Sequence, residues 1–208
     1  MIIIENILEC EGYLDDVDAV IFDLDDTLYP EKGYVRSGYA SVAKAFPNVT
    51  DMEDRLWKAF EERKPAIDLV FDEEGMGEAE RRRAVEIYRN HSPRIELYPE
   101  VSRLLSRLSA TKRLGLITDG RPEGQRAKID ALNISGYFER IIVTDELGGA
   151  QFRKPNKTAF VMMQKELCVP FDRMVYIGDN PKKDFKAPEE LGMKAIHFLN
   201  RDGLYNNI

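Results

Sequence analysis

Ala19-Val20-Ile21-Phe22-Asp23-Leu24-Asp25-Asp26-Thr27-Leu28 is the stretch on which the fold turns. Its apolar, β-prone opening runs straight into three acids, which reads as a buried strand whose carboxyl end opens on a polar site. Downstream the design repeats. Leu114-Gly115-Leu116-Ile117 precedes Thr118-Asp119-Gly120, and Arg140-Ile141-Ile142-Val143 precedes Thr144-Asp145. Met174-Val175-Tyr176-Ile177 precedes Gly178-Asp179-Asn180, and Ala195–Leu199 reads as a fifth strand. Helical patterns separate them. Val101, Leu104, Leu105 and Leu108 keep the i, i+3, i+4, i+7 rule after Pro99. Residues 122–132 open on Pro122, 156–167 carry Phe160, Met163 and Leu167, and a helix from Pro181 toward Leu191 is cut or bent by Pro188. Strands alternating with helices predict an α/β protein, a parallel sheet sandwiched by helices. In such sheets chemistry collects at the carboxyl ends of the strands.

Residues 31–95 break the rhythm. Aromatic and aliphatic residues are mixed there with many charges, with helical spacing in 52–64 and 78–90 and a loop at Asp72–Gly77. The span reads as a small helical insert, so the expected division is a core of 1–30 and 96–208 with a cap of 31–95. Its apolar content is low enough that it should pack over the strand ends. Residues 1–16 fit either an edge strand or a short arm.

Composition bounds the partners. Hydrophobic residues make up 43% of 208, enough for one core plus a small accessory unit. Thirty basic against 37 acidic residues give a formal net charge of -7, which disfavours a nucleic-acid polymer as partner. Cys10 and Cys168 make neither a disulfide framework nor a metal cluster, as suits a reducing compartment. Met1-Ile2-Ile3-Ile4-Glu5 lacks the features of a signal peptide, and no stretch approaches the roughly 20 apolar residues that span a bilayer. The expectation is a cytoplasmic protein with no membrane partner, monomeric or homodimeric.

Asp23 and Asp25 stand two apart at a strand end, so an extended backbone points both carboxylates to one side. Asp179 ends another strand, with Asp184 five residues on. Several carboxylates around an oxygen-lined pocket specify a hard cation, and Mg²⁺ suits a site that leaves positions for water and phosphate. Lys154 is the natural cationic help for an anionic substrate, and Thr118 offers a hydroxyl. Taken singly, Asp119-Gly120 and Gly178-Asp179-Asn180 are turn chemistry and Lys154 is surface charge. Their shared position at strand ends, where charge is costly unless used, makes them one constellation.

Phe22-Asp23-Leu24-Asp25-Asp26-Thr27-Leu28, Ile117-Thr118-Asp119-Gly120, Lys154-Pro155 and Gly178-Asp179-Asn180 with Asp184 resemble, in order, the signatures of the haloacid dehalogenase-like hydrolase superfamily. The resemblance spans 22–184. It implies a Rossmann-like core with a helical cap inserted after the first signature, and the 95 positions from Asp23 to Thr118 match that arrangement. It implies Asp23 as nucleophile, passing through an aspartyl-phosphate, and Asp25 as general acid and base. It further implies phosphate binding by Thr118, Asp119 and Lys154. Mg²⁺ would be held by Asp23, the backbone carbonyl of Asp25, and Asp179. Asp184 would orient the site through water or by anchoring Lys154.

Within that superfamily the second acid argues against dehalogenation, and Thr27 favours hydrolysis over phosphosugar isomerisation. Phe22–Leu28 with Tyr29 resembles the phosphatases of sugar phosphates and nucleotides, including the acylneuraminate 9-phosphatase and pyrimidine nucleotidase branches. The implied activity is Mg²⁺-dependent hydrolysis of a small phosphorylated metabolite, with gating hinges at Tyr29–Gly33 and Ser92–Tyr98. Arg121, Tyr34 and Arg36 are the candidate substrate contacts. The competing readings are a β-phosphoglucomutase-like isomerase and a non-enzymatic phosphometabolite-binding protein.

Overall fold

The computed structural model describes residues 1–204. Six parallel strands form one sheet in the order β1-β6-β5-β2-β3-β4. They are β1 (Ile2–Ile4), β2 (Ala19–Phe22), β3 (Arg113–Thr118), β4 (Arg140–Val143), β5 (Met174–Gly178) and β6 (Lys194–Phe198). All of β2 is buried, as a central strand covered on both faces requires, and each such aliphatic or Phe side chain contributes about 1.5–3 kcal/mol. Toward one face Ala19 and Ile21 join Ile117, Phe160, Met163 and Tyr176 in a single cluster; alternation sends Val20 and Phe22 to the other.

The N-terminal segment resolves as an edge strand. Ile2 pairs with Ile196, and Asn6 then caps the 3₁₀ turn of Ile7–Tyr13 by accepting from the Leu8 N–H. Helices α5 (Val101–Ser109), α6 (Pro122–Leu132), α7 (Thr158–Leu167) and α8 (Lys186–Glu190) lie between the strands, with α5 and α7 both packed against β3. The helix expected from Pro181 begins only at Lys186. Pro188 falls in its first turn, where a missing N–H costs no hydrogen bond.

Register sets the site. Phe22 aligns with Leu116 on one side and Ile177 on the other, so β2, β3 and β5 end side by side. The Asp23 N–H continues the ladder by donating to Ile177 O at 2.9 Å.

The chain separates into two compact units, one of Met1–Glu31 with the chain from Glu96 onward, the other Lys32–Ile95. Residues 31–95 carry α1 (Glu31–Ala45), α2 (Met52–Glu61), α3 (Ala66–Glu73) and α4 (Glu78–Asn90). Two of them, α2 and α4, follow clear sequence stripes. Helix α1 does not, since Gly33 and Gly38 interrupt its apolar face. Gly38 serves close packing: a Cβ there would lie 2.5 Å from the Tyr88 ring. The core of this unit gathers Val35, Val42, Phe46, Leu56, Val70, Phe71 and Ala84. No helix among the described residues is long and apolar enough to cross a membrane.

Candidate active site

The centre of the site is a buried cation among acids. Lys154 Nζ donates to Asp23 Oδ1 at 2.7 Å and to the Tyr176 hydroxyl at 2.7 Å, and lies 2.8 Å from Asp184 Oδ1. The Lys154, Asp23 and Asp184 side chains are 0%, 1% and 0% exposed. Burial alone would discharge Lys154, but Asp184, Asp23 and Asp119 outweigh it and hold its pKa above the ordinary lysine value. Asp184 thus anchors Lys154 directly, while its Oδ2 accepts from the Asn180 N–H at 2.9 Å. Gly178 leaves room for this, since a Cβ there would stand 2.5 Å from Asp184 Oδ2.

Asp23, Asp179 and Asp184 form a group of buried carboxylates, with one oxygen of each within 4.8 Å of the others. Burial pushes Asp23 up despite Lys154 and Lys183. Asp179 is pushed up to about 9 by burial and then by Asp23 and Asp184. Asp23 Oδ2 is buried with no hydrogen-bond partner; Lys183 Nζ stands 3.9 Å away. Hard oxygen donors, one of them orphaned, fit a divalent cation of the Mg²⁺ type.

Asp25 faces elsewhere. Its Oδ1 accepts from Lys128 Nζ at 2.7 Å and the Tyr29 hydroxyl at 2.5 Å, and its Oδ2 accepts from Gln125 Nε2 at 2.9 Å. Burial works to raise the Asp25 pKa, yet Lys128 and the Tyr29 and Gln125 hydrogen bonds prevail and hold it below the usual carboxylate value. Its carboxylate lies outside the three-acid group.

Thr118, the last residue of β3, is fully buried, and its Oγ1 accepts from Gln125 Nε2. Asp119 ties neighbouring loops together. Its Oδ1 accepts from the Thr144 hydroxyl at 2.9 Å and the Lys154 N–H at 3.1 Å, and its Oδ2 lies 3.7 Å from Lys183 Nζ. A cavity of about 300 Å³ opens here, lined by Asp25, Glu31, Asp119, Arg153, Lys154, Asp179, Asn180 and Lys183. Burial, and then Asp25, pushes Glu31 up to about 8. A larger cavity of about 620 Å³ lies within the Lys32–Ile95 unit, but the strand-end carboxylates line only the smaller one.

The structure therefore brings Asp23, Asp25, Thr118, Asp119, Lys154, Asp179 and Asp184 to adjoining strand ends. Arg121 is not among the cavity residues: its exposed guanidinium reaches Glu123 at 3.7 Å. Tyr34 packs on Tyr88 and His91, and Arg36 stacks over Trp57 while reaching Glu53 at 3.8 Å, all within the other unit. Sequence reasoning missed Lys183, Tyr176, Gln125 and Lys128. The last two carried a signal, being polar residues one turn apart on a helix whose buried face includes Ile129 and Leu132.

Acids and a buried lysine gathered at the carboxyl ends of parallel strands are the arrangement of an α/β enzyme site. The family model described as haloacid dehalogenase-like hydrolase matches residues 20–198, and the chain belongs to that family. It is 26% identical to the glyceraldehyde 3-phosphate phosphatase of Methanopyrus kandleri over 208 aligned residues, which cover 92% of this chain and 87% of that one. It is 27% identical to the N-acylneuraminate-9-phosphatase of Homo sapiens, over 92% of this chain and 86% of that one. Among solved structures, a HAD-superfamily hydrolase of Geobacter sulfurreducens matches with a TM-score of 0.67 at 14% identity, covering 88% and 87% of the two chains. A Bacillus subtilis HAD-hydrolase bound to magnesium matches with a TM-score of 0.63 at 20% identity, covering 86% and 85%. The structural likenesses carry the fold; the relatives just named are phosphatases of phosphorylated metabolites.

Proposed function

We propose that this protein is a Mg²⁺-dependent phosphomonoesterase that works through an aspartyl-phosphate on Asp23. The observation that carries this reading is the buried Asp23–Lys154–Asp184 chain beside Asp179, with Asp23 Oδ2 lacking a hydrogen-bond partner. The two relatives are named for glyceraldehyde 3-phosphate and N-acylneuraminate 9-phosphate, each esterified at a terminal carbon of a polyhydroxylated molecule. The same substrate class, a terminal phosphate ester of a small sugar-like metabolite, is proposed here.

A carboxylate oxygen of Asp23 attacks phosphorus while the P–O bond to the leaving alcohol breaks. Asp25, which must take up a proton for this step against the pull of Lys128 that holds its pKa low in the free protein, gives that oxygen its proton. In the second step Asp25, now a carboxylate, takes a proton from water as the water oxygen attacks phosphorus. The P–O bond to Asp23 then breaks, releasing inorganic phosphate and restoring the Asp23 carboxylate. Splitting the reaction in this way is the use of a carboxylate nucleophile. Lys154 holds Asp23 in place and offsets negative charge on the phosphoryl group, and Thr118 and the N–H groups after it receive phosphate oxygens. Asp23, Asp179 and the Asp25 carbonyl would hold Mg²⁺, with Asp184 beside them; when bound, the ion supplies charge neutralisation and orientation.

The test is phosphate release from terminal sugar phosphates, nucleoside monophosphates and an aryl phosphate, with Mg²⁺ or with EDTA. Turnover that requires both Mg²⁺ and Asp23, and vanishes in Asp23→Asn, supports the reading. A wild-type protein that releases phosphate from none of them sinks it.

A further inference from the structure

Resting on that reading, we infer that Lys128 and Gln125 are positioning residues that hold Asp25 and Thr118 in working geometry from one face of α6. Neither side chain belongs to the strand-end constellation. Both come from the helix that follows it, one turn apart, which places them on the same face.

Lys128 is a lysine with a side chain only 6% exposed, and it meets Asp25 Oδ1 at 2.7 Å. Burying an ammonium is costly unless a carboxylate receives it, so the pair is held by the penalty each would meet alone. Gln125 acts on the other oxygen. Its one NH₂ group carries two hydrogens, and the structure gives it two acceptors, Asp25 Oδ2 at 2.9 Å and Thr118 Oγ1. Turning the amide over would set its carbonyl oxygen against the Asp25 carboxylate, so Asp25 itself dictates the orientation.

A consequence follows for Thr118. Because its Oγ1 accepts from Gln125, its own hydroxyl hydrogen is left to donate in another direction, as a phosphate-binding hydroxyl must. Gln125 thereby couples the proton-transferring acid to the phosphate-binding threonine through a single amide. Gly120 makes space for it: φ is +134° there, and a Cβ would press on Gln125 Cδ at 3.3 Å. The Asp119-Gly120 turn therefore also accommodates the Gln125 side chain.

The test uses the full chain with Mg²⁺ and reads kcat/KM, which reports the first chemical step. An alkyl phosphate needs its leaving oxygen protonated; an aryl phosphate such as 4-nitrophenyl phosphate needs this far less. If Lys128 positions Asp25 for that transfer, Lys128→Met lowers kcat/KM for the alkyl ester by about 100-fold and for the aryl ester by under about 10-fold. Lys128→Arg recovers part of the loss, and Asp25→Asn with Lys128→Met is little worse than Asp25→Asn alone. Gln125→Met, an independent variant on the same face, raises KM for both esters by loosening Thr118, and circular dichroism checks that each variant is folded. Equal losses on both esters in Lys128→Met, or no loss, overturn the inference. Asp25→Asn separates the two levels: if it too fails to discriminate between the esters, the acid role assigned to Asp25 fails instead.

Discussion

Lys154 Nζ bridges Asp23 and Asp184, 2.7 Å from one carboxylate and 2.8 Å from the other, with all three side chains withdrawn from solvent. The bridge joins the residue after β2 to a loop after β5. Replacing Lys154 by Met leaves two carboxylates buried without their cation. The expected result is loss of phosphatase turnover together with a destabilisation of about 3–5 kcal/mol, the usual consequence of breaking a buried pair. Urea denaturation in EDTA measures it; a variant as stable as wild type would contradict the bridge.

Metal affinity should rise with pH. Burial, then Asp23 and Asp184, puts the Asp179 pKa at about 9 against an ordinary 3.8. The folded, metal-free protein therefore keeps a proton that the unfolded chain gives up. The stability tied to this proton is complete below the ordinary value and is lost as pH climbs toward 9. A divalent cation binds the carboxylate form and displaces the proton. The thermal-shift gain from Mg²⁺ should be larger at about pH 8.5 than at about pH 6, with protons released on binding. A gain independent of pH would count against Asp179 as a ligand.

Gly178 should not accept a side chain. An added Cβ would lie 2.5 Å from Asp184 Oδ2 and 2.8 Å from its Cγ, so Gly178→Ala must displace the carboxylate that anchors Lys154. Overpacking of this kind costs about 1–3 kcal/mol, and turnover should fall well beyond what that destabilisation explains. Kinetics at a temperature where the variant is fully folded makes the comparison.

The two cysteines should differ sharply in reactivity. Cys10 is buried, and burial with the adjacent Glu11 pushes its thiol up to about 12, whereas Cys168 is exposed. Thiolate is the reactive form. One equivalent of a thiol reagent should react quickly in the native protein and the second only on unfolding; Cys168→Ser should remove the fast phase.

Much of the molecule was legible because it is local. The run Ala19–Phe22 and its counterparts reveal buried strands by their own composition, and acids directly after them lie at strand ends whatever the remaining contacts. Stripes such as Val101, Leu104, Leu105 and Leu108 report a helix face in the same way. Helix α1 was less legible because Gly33 and Gly38 interrupt its stripe, and Gly38 has its reason only in the Tyr88 ring it admits.

By itself, then, the sequence determined the α/β architecture, the insertion of a helical segment and the set of strand-end carboxylates with Lys154, since each rests on periodicity or on neighbours in the chain. Only the tertiary structure decided which charges meet. Lys128 and Gln125 reach Asp25 across 103 and 100 positions, while Arg121, four residues before Gln125, turns out to Glu123. Helical phase and strand register choose between such outcomes. Asp25, which looks in sequence like a third member of the Asp23–Asp179 cluster, has its carboxylate claimed by α6. The ion pair forms there because a buried lysine and a buried carboxylate each carry a desolvation penalty that the other offsets.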